Sequence, residues 1–123
     1  MNFKEYQEFV WELASEDSRQ DFEHQIGTAG LGLAGEAGEV ADIAKKVLFQ
    51  GKEFDREDFI SEMGDVLWYL AFAATMCETS LEEIMNGNVE KLKDRYKGGK
   101  FSVEEFQAKE VVKTQATPEF WTK

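Results

Sequence analysis

The fold of this chain is decided by two stretches with helical spacing, GLAGEAGEVADIAKK (residues 32–46) and ISEMGDVLWYLAF (residues 60–72). Each stretch carries two acids that are three residues apart: Glu36 with Glu39, and Glu62 with Asp65. Because three residues make about one helical turn, each pair projects from one side of its helix. Four carboxylates on two facing helices favour a site for a hard divalent cation such as Mg²⁺, which prefers oxygen ligands. The alternative is a set of solvent-exposed acids on amphipathic helices, and spacing alone does not separate the two interpretations.

The chain is short and acidic. Its 123 residues include 25 acids and 14 bases, for a net charge of -11. This length predicts one domain, residues 1–123. The charge argues against binding of nucleic-acid polymers, because phosphate contacts need clustered Lys and Arg. It does not argue against a nucleotide, because bound metal ions reverse the sign of the local field.

Cysteine usage and hydropathy predict a cytoplasmic protein that does not bind membranes. The one cysteine, Cys77, excludes an internal disulfide. It lies in the apolar run LAFAATMC (residues 70–77), so we expect a buried core residue rather than a nucleophile. No apolar signal region follows the N-terminal residues, and no run of about 18 apolar residues indicates a membrane span.

Hydrophobic residues recur at helical spacing along most of the chain. This pattern predicts an all-α fold with a four-helix bundle-like core. The predicted helices cover about residues 2–15, 22–50, 55–78 and 80–97, with a short fifth helix from about 102. The polar segment between the first two helices, residues 15–21, is either a connection or a helix start. From about residue 109 to residue 123 the chain shows no clear period and is expected to form a tail.

Local signals support several of these boundaries. Ser80 and Ser102 are each followed by a glutamate three residues later, which is the capping-box pattern at a helix start. Gly51 is expected to end the second helix in a C′ position. Gly98 and Gly99 are expected to end the fourth helix.

The second helix is unusually rich in glycine, with five glycines between residues 27 and 38: Gly27, Gly30, Gly32, Gly35 and Gly38. Each glycine inside a helix costs roughly 1 kcal/mol relative to alanine, so something must offset this loss. One interpretation is a break between two helices at IGTAGLGL (residues 26–33). The other is close approach of a neighbouring backbone or ligand. In that case, Gly35 and Gly38 would let the helices that carry the acids pack tightly.

Four segments together resemble the MazG-like nucleotide pyrophosphohydrolases of the all-α NTP pyrophosphatase superfamily. They are GLAGEAGEVADIAKK, SEMGDVLWYLA, NVEKLKDRY and GGKFS. The family signature is Glu-x-x-Glu, a variable gap and Glu-x-x-Asp. The resemblance covers about residues 22–102. Many relatives carry a second glutamate directly before the first signature acid, where this chain has Gly35. This difference bears on the groups that surround the metal ligands and on the number of metals held.

The resemblance implies hydrolysis of nucleoside triphosphates, NTP or dNTP, to a nucleoside monophosphate and pyrophosphate. The implied cofactor is Mg²⁺, with Mn²⁺ as a substitute, and the implied assembly is a homodimer or homotetramer. The implied metal ligands are the four signature acids: Glu36, Glu39, Glu62 and Asp65. Glu39 and Glu36 are the catalytic candidates, and one of them would orient or deprotonate the attacking water.

A basic stripe on the fourth helix is the candidate phosphate-binding group. Asn88, Lys91 and Arg95 share one helical face, and the resemblance favours phosphate contacts by Lys91 and Arg95. Lys46, on the same side of its helix as Glu39, is a further candidate. The alternative is a solvated face near a helix C-terminus, where cations are favourable.

The base-binding residues are not marked by the sequence. Five side chains are candidates for stacking or hydrogen bonding: Trp11, Phe22, His24, Trp68 and Tyr69. Two further interpretations keep the fold but change the function. One is a non-catalytic helical interaction module; the other is a dedicated hydrolase of dUTP/dCTP or of phosphoribosyl-ATP.

Overall fold

The computed structural model describes residues 1–115, with side chains described for residues 1–110. The predicted all-α class is confirmed, since the described residues contain helices and no strand. In chain order the helices are α1 (Phe3–Leu13), α2 (Glu16–Arg19), α3 (Phe22–Phe49), α4 (Arg56–Met76), α5 (Leu81–Arg95) and α6 (Val103–Gln115). Within this part of the chain, no helix combines the length and the apolar character that a membrane span requires.

The helices begin where short polar side chains satisfy free backbone N–H groups. Asn2, Ser15, Asp21 and Asp55 each accept a hydrogen bond from the backbone N–H three residues later. In both predicted capping boxes, the serine side chain accepts a hydrogen bond from the backbone N–H three residues later. The Glu83 N–H donates to Ser80 Oγ at 3.0 Å, and the Glu105 N–H donates to Ser102 Oγ at 3.3 Å.

The structure decides between the alternatives at residues 26–33 and 15–21, and it lengthens the last predicted helix. The helix break at residues 26–33 is wrong, because α3 runs without interruption from Phe22 to Phe49. The polar segment 15–21 contains the short helix α2. Helix α6 continues to Gln115 and is longer than predicted, whereas the rest of the expected tail, 116–123, lies outside the described residues. Gly51 follows the end of α3 with φ +68°, as its C′ role requires.

The chain divides into two compact units, Met1–Ile84 and Met85 onward. In the first unit α4 packs against α1 and α3, and α2 packs against α3. Its core contains small or aliphatic side chains around one aromatic ring: Val10, Ala14, Ala29, Ala71 and Phe72. Trp11 and Trp68 stack on the Phe72 ring at centroid distances of 5.1 and 5.9 Å.

The second unit contains most of α5 and all of the described part of α6. Its aromatic contacts centre on Phe101, whose ring lies 5.4 Å from Tyr96 and 6.1 Å from Phe106. The single domain predicted from chain length stays a prediction.

The predicted burial of Cys77 is wrong, since this side chain is exposed. Cys77 is the C-cap of α4, one residue beyond the end of the helix and three residues beyond Ala74, the last buried side chain of α4. The chain then turns through Glu78, whose φ of +57° is the left-handed conformation. The apolar run LAFAATMC correctly indicated the end of a core helix but not the direction of its last side chain.

Candidate metal centre

The acidic residues converge because α3 and α4 pack side by side in opposite directions. Glu36 on α3 meets Asp65 on α4, while Gly32, one turn earlier on α3, meets Tyr69, one turn later on α4. This reversed order shows that the two helices are antiparallel. One polar face of each helix therefore lines a common depression.

Three of the four signature acids come together. Carboxylate oxygens of Glu36, Glu62 and Asp65 all lie within 4.8 Å of one another, with Glu36 and Glu62 half-buried and Asp65 exposed. Oxygens on opposite sides of one Mg²⁺ ion, bound at about 2.1 Å each, lie about 4.2 Å apart. The all-oxygen donor set therefore suits a hard divalent cation, and the oxygens lie close to the separation that one ion requires.

Glu62 is repelled by the other carboxylates of this cluster. Partial burial, followed by repulsion from Asp65 and Glu36, raises the pKa of its carboxyl. Weaker repulsion comes from Asp58 and Glu39. A bound cation would relieve this repulsion, because it favours the ionised carboxylate.

Glu39 and Asp58 lie near the three-carboxylate cluster but outside it. Glu39 is exposed, and its role as a ligand or water-activating group stays a prediction. Asp58 was missed by the sequence analysis. It lies four residues before Glu62, so it extends the acidic stripe of α4 by one turn, and this i, i+4 spacing was the signal that could have found it.

A cavity of about 300 Å³ opens beside the cluster. It is lined by Glu36, Asp65, Trp68 and Tyr69. Two of the five aromatic or histidine candidates thus lie at the acidic site. Their rings meet edge to face, with centroids 5.0 Å apart and planes at 73°.

The other three candidates lie elsewhere. Trp11 is engaged with Phe72 in the core, and it also lines a larger cavity of about 760 Å³ between α1, the end of α4 and the start of α5. Phe22 is exposed on the first turn of α3. His24 donates its backbone N–H to Asp21 at 2.9 Å, and its ring Nδ1 lies 2.7 Å from the same carboxylate.

Comparison with known proteins now identifies the family. The model of the MazG nucleotide pyrophosphohydrolase domain matches residues 24–99. The chain belongs to the MazG family. The match confirms the resemblance seen at about residues 22–102, and it contains all four signature acids.

A relative of this MazG chain is the Gene 37 protein of Mycobacterium phage L5. The two are 38% identical over 69 residues, which is 53% of this chain and 60% of the phage protein. The match thus spans less than two thirds of that relative. No solved structure matches this chain.

The candidate phosphate-binding residues of the MazG domain divide between the two units. Lys46 lies on α3 and forms an ion pair with Asp42 at 2.8 Å, while Lys45 binds the other oxygen of Asp42 at 3.1 Å. The hydrogen bond to Asp42 raises the pKa of Lys46 and, in return, lowers the pKa of Asp42. Lys46 is thus ionised and already partnered within its own helix.

The remaining basic candidates lie on α5. Asn88, Lys91 and Arg95 fall in the second unit, where the Arg95 guanidinium lies 5.6 Å from the centre of the Tyr96 ring. Their contact with phosphate stays a prediction.

The glycines of α3 correct one further expectation. A Cβ built on Gly35 or Gly38 would meet no heavy atom within 4 Å among the described residues beyond its own turn. These two glycines therefore do not provide the close helix packing that we expected of them. Gly32 does, because a Cβ there would overlap the Tyr69 ring.

Proposed function

We propose that this MazG domain is a Mg²⁺-dependent hydrolase that converts nucleoside triphosphates to nucleoside monophosphates and pyrophosphate. One observation carries the proposal: Glu36, Glu62 and Asp65 converge from two helices of a MazG domain. Bare carboxylates repel a triphosphate. When Mg²⁺ is bound, it supplies charge neutralisation and polarisation of the α-phosphate, and Mn²⁺ would supply the same.

The reaction adds water across one anhydride bond. The water oxygen bonds to the α-phosphorus, the bond from the α-phosphorus to the oxygen shared with the β-phosphate breaks, and pyrophosphate leaves with the electron pair. We assign removal of the water proton to Glu39, because its exposed carboxylate lies close to the cluster without belonging to it. Glu36 is the second candidate for this role.

Basic groups would offset the charge that remains on the triphosphate. Arg95 suits a bidentate phosphate contact, and Lys91 suits a point-charge contact. Asn88 shares their helix. Lys46 would have to exchange its Asp42 partner for phosphate, so we expect the smallest contribution from Lys46.

Trp68 and Tyr69 are the best placed groups for the nucleoside part of the substrate. They line the same cavity as Glu36 and Asp65, so a nucleotide with its phosphates at the acids would bring its base or sugar beside these rings. Base–aromatic stacking tolerates all four bases, so these rings alone do not select one base.

The proposal includes assembly as a homodimer or homotetramer. Few side chains of the first unit are fully buried, whereas several large apolar side chains of α3 and α4 are exposed: Ile26, Leu31, Leu48, Phe49, Ile60 and Met63. A second copy of the chain would remove this apolar surface from water. Light scattering across a concentration series measures the assembly.

A pyrophosphate-release screen tests the function. Canonical and modified nucleoside triphosphates are incubated with Mg²⁺, with Mn²⁺ and with a chelator, and both products are quantified. We expect Glu36→Gln and Asp65→Asn to abolish release. Glu57→Gln serves as the matched control, because this acid also lies on α4 and its side chain is 81% exposed.

The screen also separates the alternatives. Release from dUTP and dCTP alone, or from phosphoribosyl-ATP alone, would favour a dedicated hydrolase. Absence of release from all substrates with either metal would contradict the proposal and favour a non-catalytic interaction module. Full activity in both Glu36→Gln and Asp65→Asn would place the reaction elsewhere in the molecule.

A further inference from the structure

We infer that Gly32 is a positioning residue that sets the place of the Tyr69 ring at the wall of the acidic cavity. The inference deepens the proposed function and rests on it, because it assigns to Gly32 an effect on substrate binding at that site. Gly32 itself is not one of the lining residues.

The first support is the contact itself. A Cβ added to Gly32 would overlap three atoms of the Tyr69 ring, Cδ1, Cε1 and Cζ. The ring therefore occupies the space that every other residue type would fill at this position. Because glycine has no Cβ, it permits this close approach, which any other residue type at position 32 would block.

The second support is the contrast with the other glycines of α3. At Gly27, Gly30, Gly35 and Gly38, an added Cβ would meet nothing within 4 Å outside its own turn in the described part of the chain. Close approach is thus specific to Gly32. The general glycine content of the helix does not explain it.

The third support is the register of the two helices. Gly32 lies one turn before Glu36, and Tyr69 lies one turn after Asp65. Because α3 and α4 are antiparallel, the Gly32–Tyr69 contact is the next layer beyond the carboxylate cluster. The Tyr69 ring lies between the α3 backbone and the Trp68 ring, and the two ring centroids are 5.0 Å apart. A side chain at position 32 would force the ring out of this layer and reshape the cavity.

The main test compares Gly32→Ala with Gly30→Ala in pyrophosphate-release kinetics. We expect Gly32→Ala to raise KM for the nucleotide about tenfold, the scale of one lost base–aromatic contact, with the half-saturating Mg²⁺ concentration unchanged. Gly30→Ala should leave both values as in the parent protein. Equal KM values for the two variants would overturn the inference.

A double-mutant cycle separates positioning from a general effect of alanine in α3. In a Tyr69→Ala background the ring is absent, so adding Gly32→Ala should change KM no further. The same penalty in both backgrounds would overturn the inference. If Gly32→Ala alone does not fold but the double variant does, the rescue shows that the ring occupies the space at position 32.

A spectroscopic readout keeps the inference testable if the chain releases no pyrophosphate. The chain has three tyrosines, so fluorotyrosine labelling gives three ¹⁹F signals, and the signal lost in Tyr69→Phe belongs to Tyr69. We expect this signal to shift in Gly32→Ala and not in Gly30→Ala. An unmoved signal would overturn the positioning role, whereas an inactive parent protein with a moved signal would overturn the proposed function alone.

Discussion

The side-chain amide of Gln7 accepts a hydrogen bond from the backbone N–H of Leu81 at 2.9 Å, and this bond ties α1 to the start of α5. The same amide donates to the Thr79 carbonyl at 3.1 Å and to Thr75 Oγ1 at 3.2 Å. Gln7 is only 8% exposed, so each of these bonds replaces contact with water. A single buried amide thus fixes the turn that connects α4 with α5.

Replacement of this amide should destabilise the protein. Gln7→Ala leaves the Leu81 N–H and the Thr79 carbonyl without their partner, and we expect a loss of about 2 kcal/mol in the free energy of unfolding. Urea unfolding measures the loss. Glu8→Ala, at the neighbouring exposed position, is the control and should change stability by less than about 0.5 kcal/mol. Equal effects of the two variants would contradict the role given to Gln7.

The acidic cluster should make the stability of the metal-free protein depend on pH. Folding raises the pKa of Glu62, so the folded state holds this proton more tightly than the unfolded state. Stability from this group is therefore fully present below the ordinary glutamate pKa and is lost as pH rises through the raised value.

Glu62→Gln isolates this effect, because glutamine keeps the shape but does not ionise. In the presence of a chelator, we expect the Tm of Glu62→Gln to match that of the parent protein at the lowest pH of the series. As pH rises, the Tm of the variant should increasingly exceed that of the parent. Thermal unfolding across the pH range measures the difference. Asp94→Asn, an exposed acid of the second unit, should show no such trend. A constant difference between Glu62→Gln and the parent would contradict the prediction.

Binding of Mg²⁺ should stabilise the fold through the same carboxylates. A ligand that binds only the folded state at a hundred times its Kd adds about 2.7 kcal/mol to the free energy of unfolding. We expect this gain in the parent protein and its loss in Glu36→Gln and in Asp65→Asn. Thermal shift with and without Mg²⁺ measures it without reference to activity. If both variants keep the full gain, the cation binds at another site.

Glu78 holds a backbone conformation that suits glycine. Its φ is +57°, its N–H donates to the Thr75 carbonyl at 3.0 Å, and the Thr79 N–H donates to the Ala74 carbonyl at 2.9 Å. This is the hydrogen-bond pattern of a helix C-terminus with a left-handed C′ residue. Because that conformation costs a residue with a Cβ roughly 1 kcal/mol, Glu78→Gly should stabilise the protein by about this amount.

Gly51 provides the reverse experiment, since it follows α3 with φ +68°. Gly51→Ala should destabilise the protein by about 1 kcal/mol. Denaturant unfolding of both variants measures the pair of effects. Changes of the same sign in the two variants would show that the left-handed backbone does not set these energies.

The sequence by itself determined the features that depend on nearby residues. Helical periodicity and the caps at Ser80 and Ser102 involve groups within one turn of each other, so their bonds form wherever the chain is helical. The sequence also identified the order of the signature acids and, through them, the family, because motif spacing is a property of the chain.

Only the tertiary structure decided which of these residues meet. Glu36 and Glu39 are about 60° apart around α3, so the rotation of α3 against α4 decides which of them faces the other helix. That rotation follows from long-range packing, in which Ala29 and Phe72 share one core and Gly32 admits the Tyr69 ring. This rotation brings Glu36 to Glu62 and Asp65 and leaves Glu39 beside them. Among the α3 glycines in the described part of the chain, it places only Gly32 in close contact with α4. No local pattern encodes this rotation, because it depends on how side chains of separate helices fill a common core.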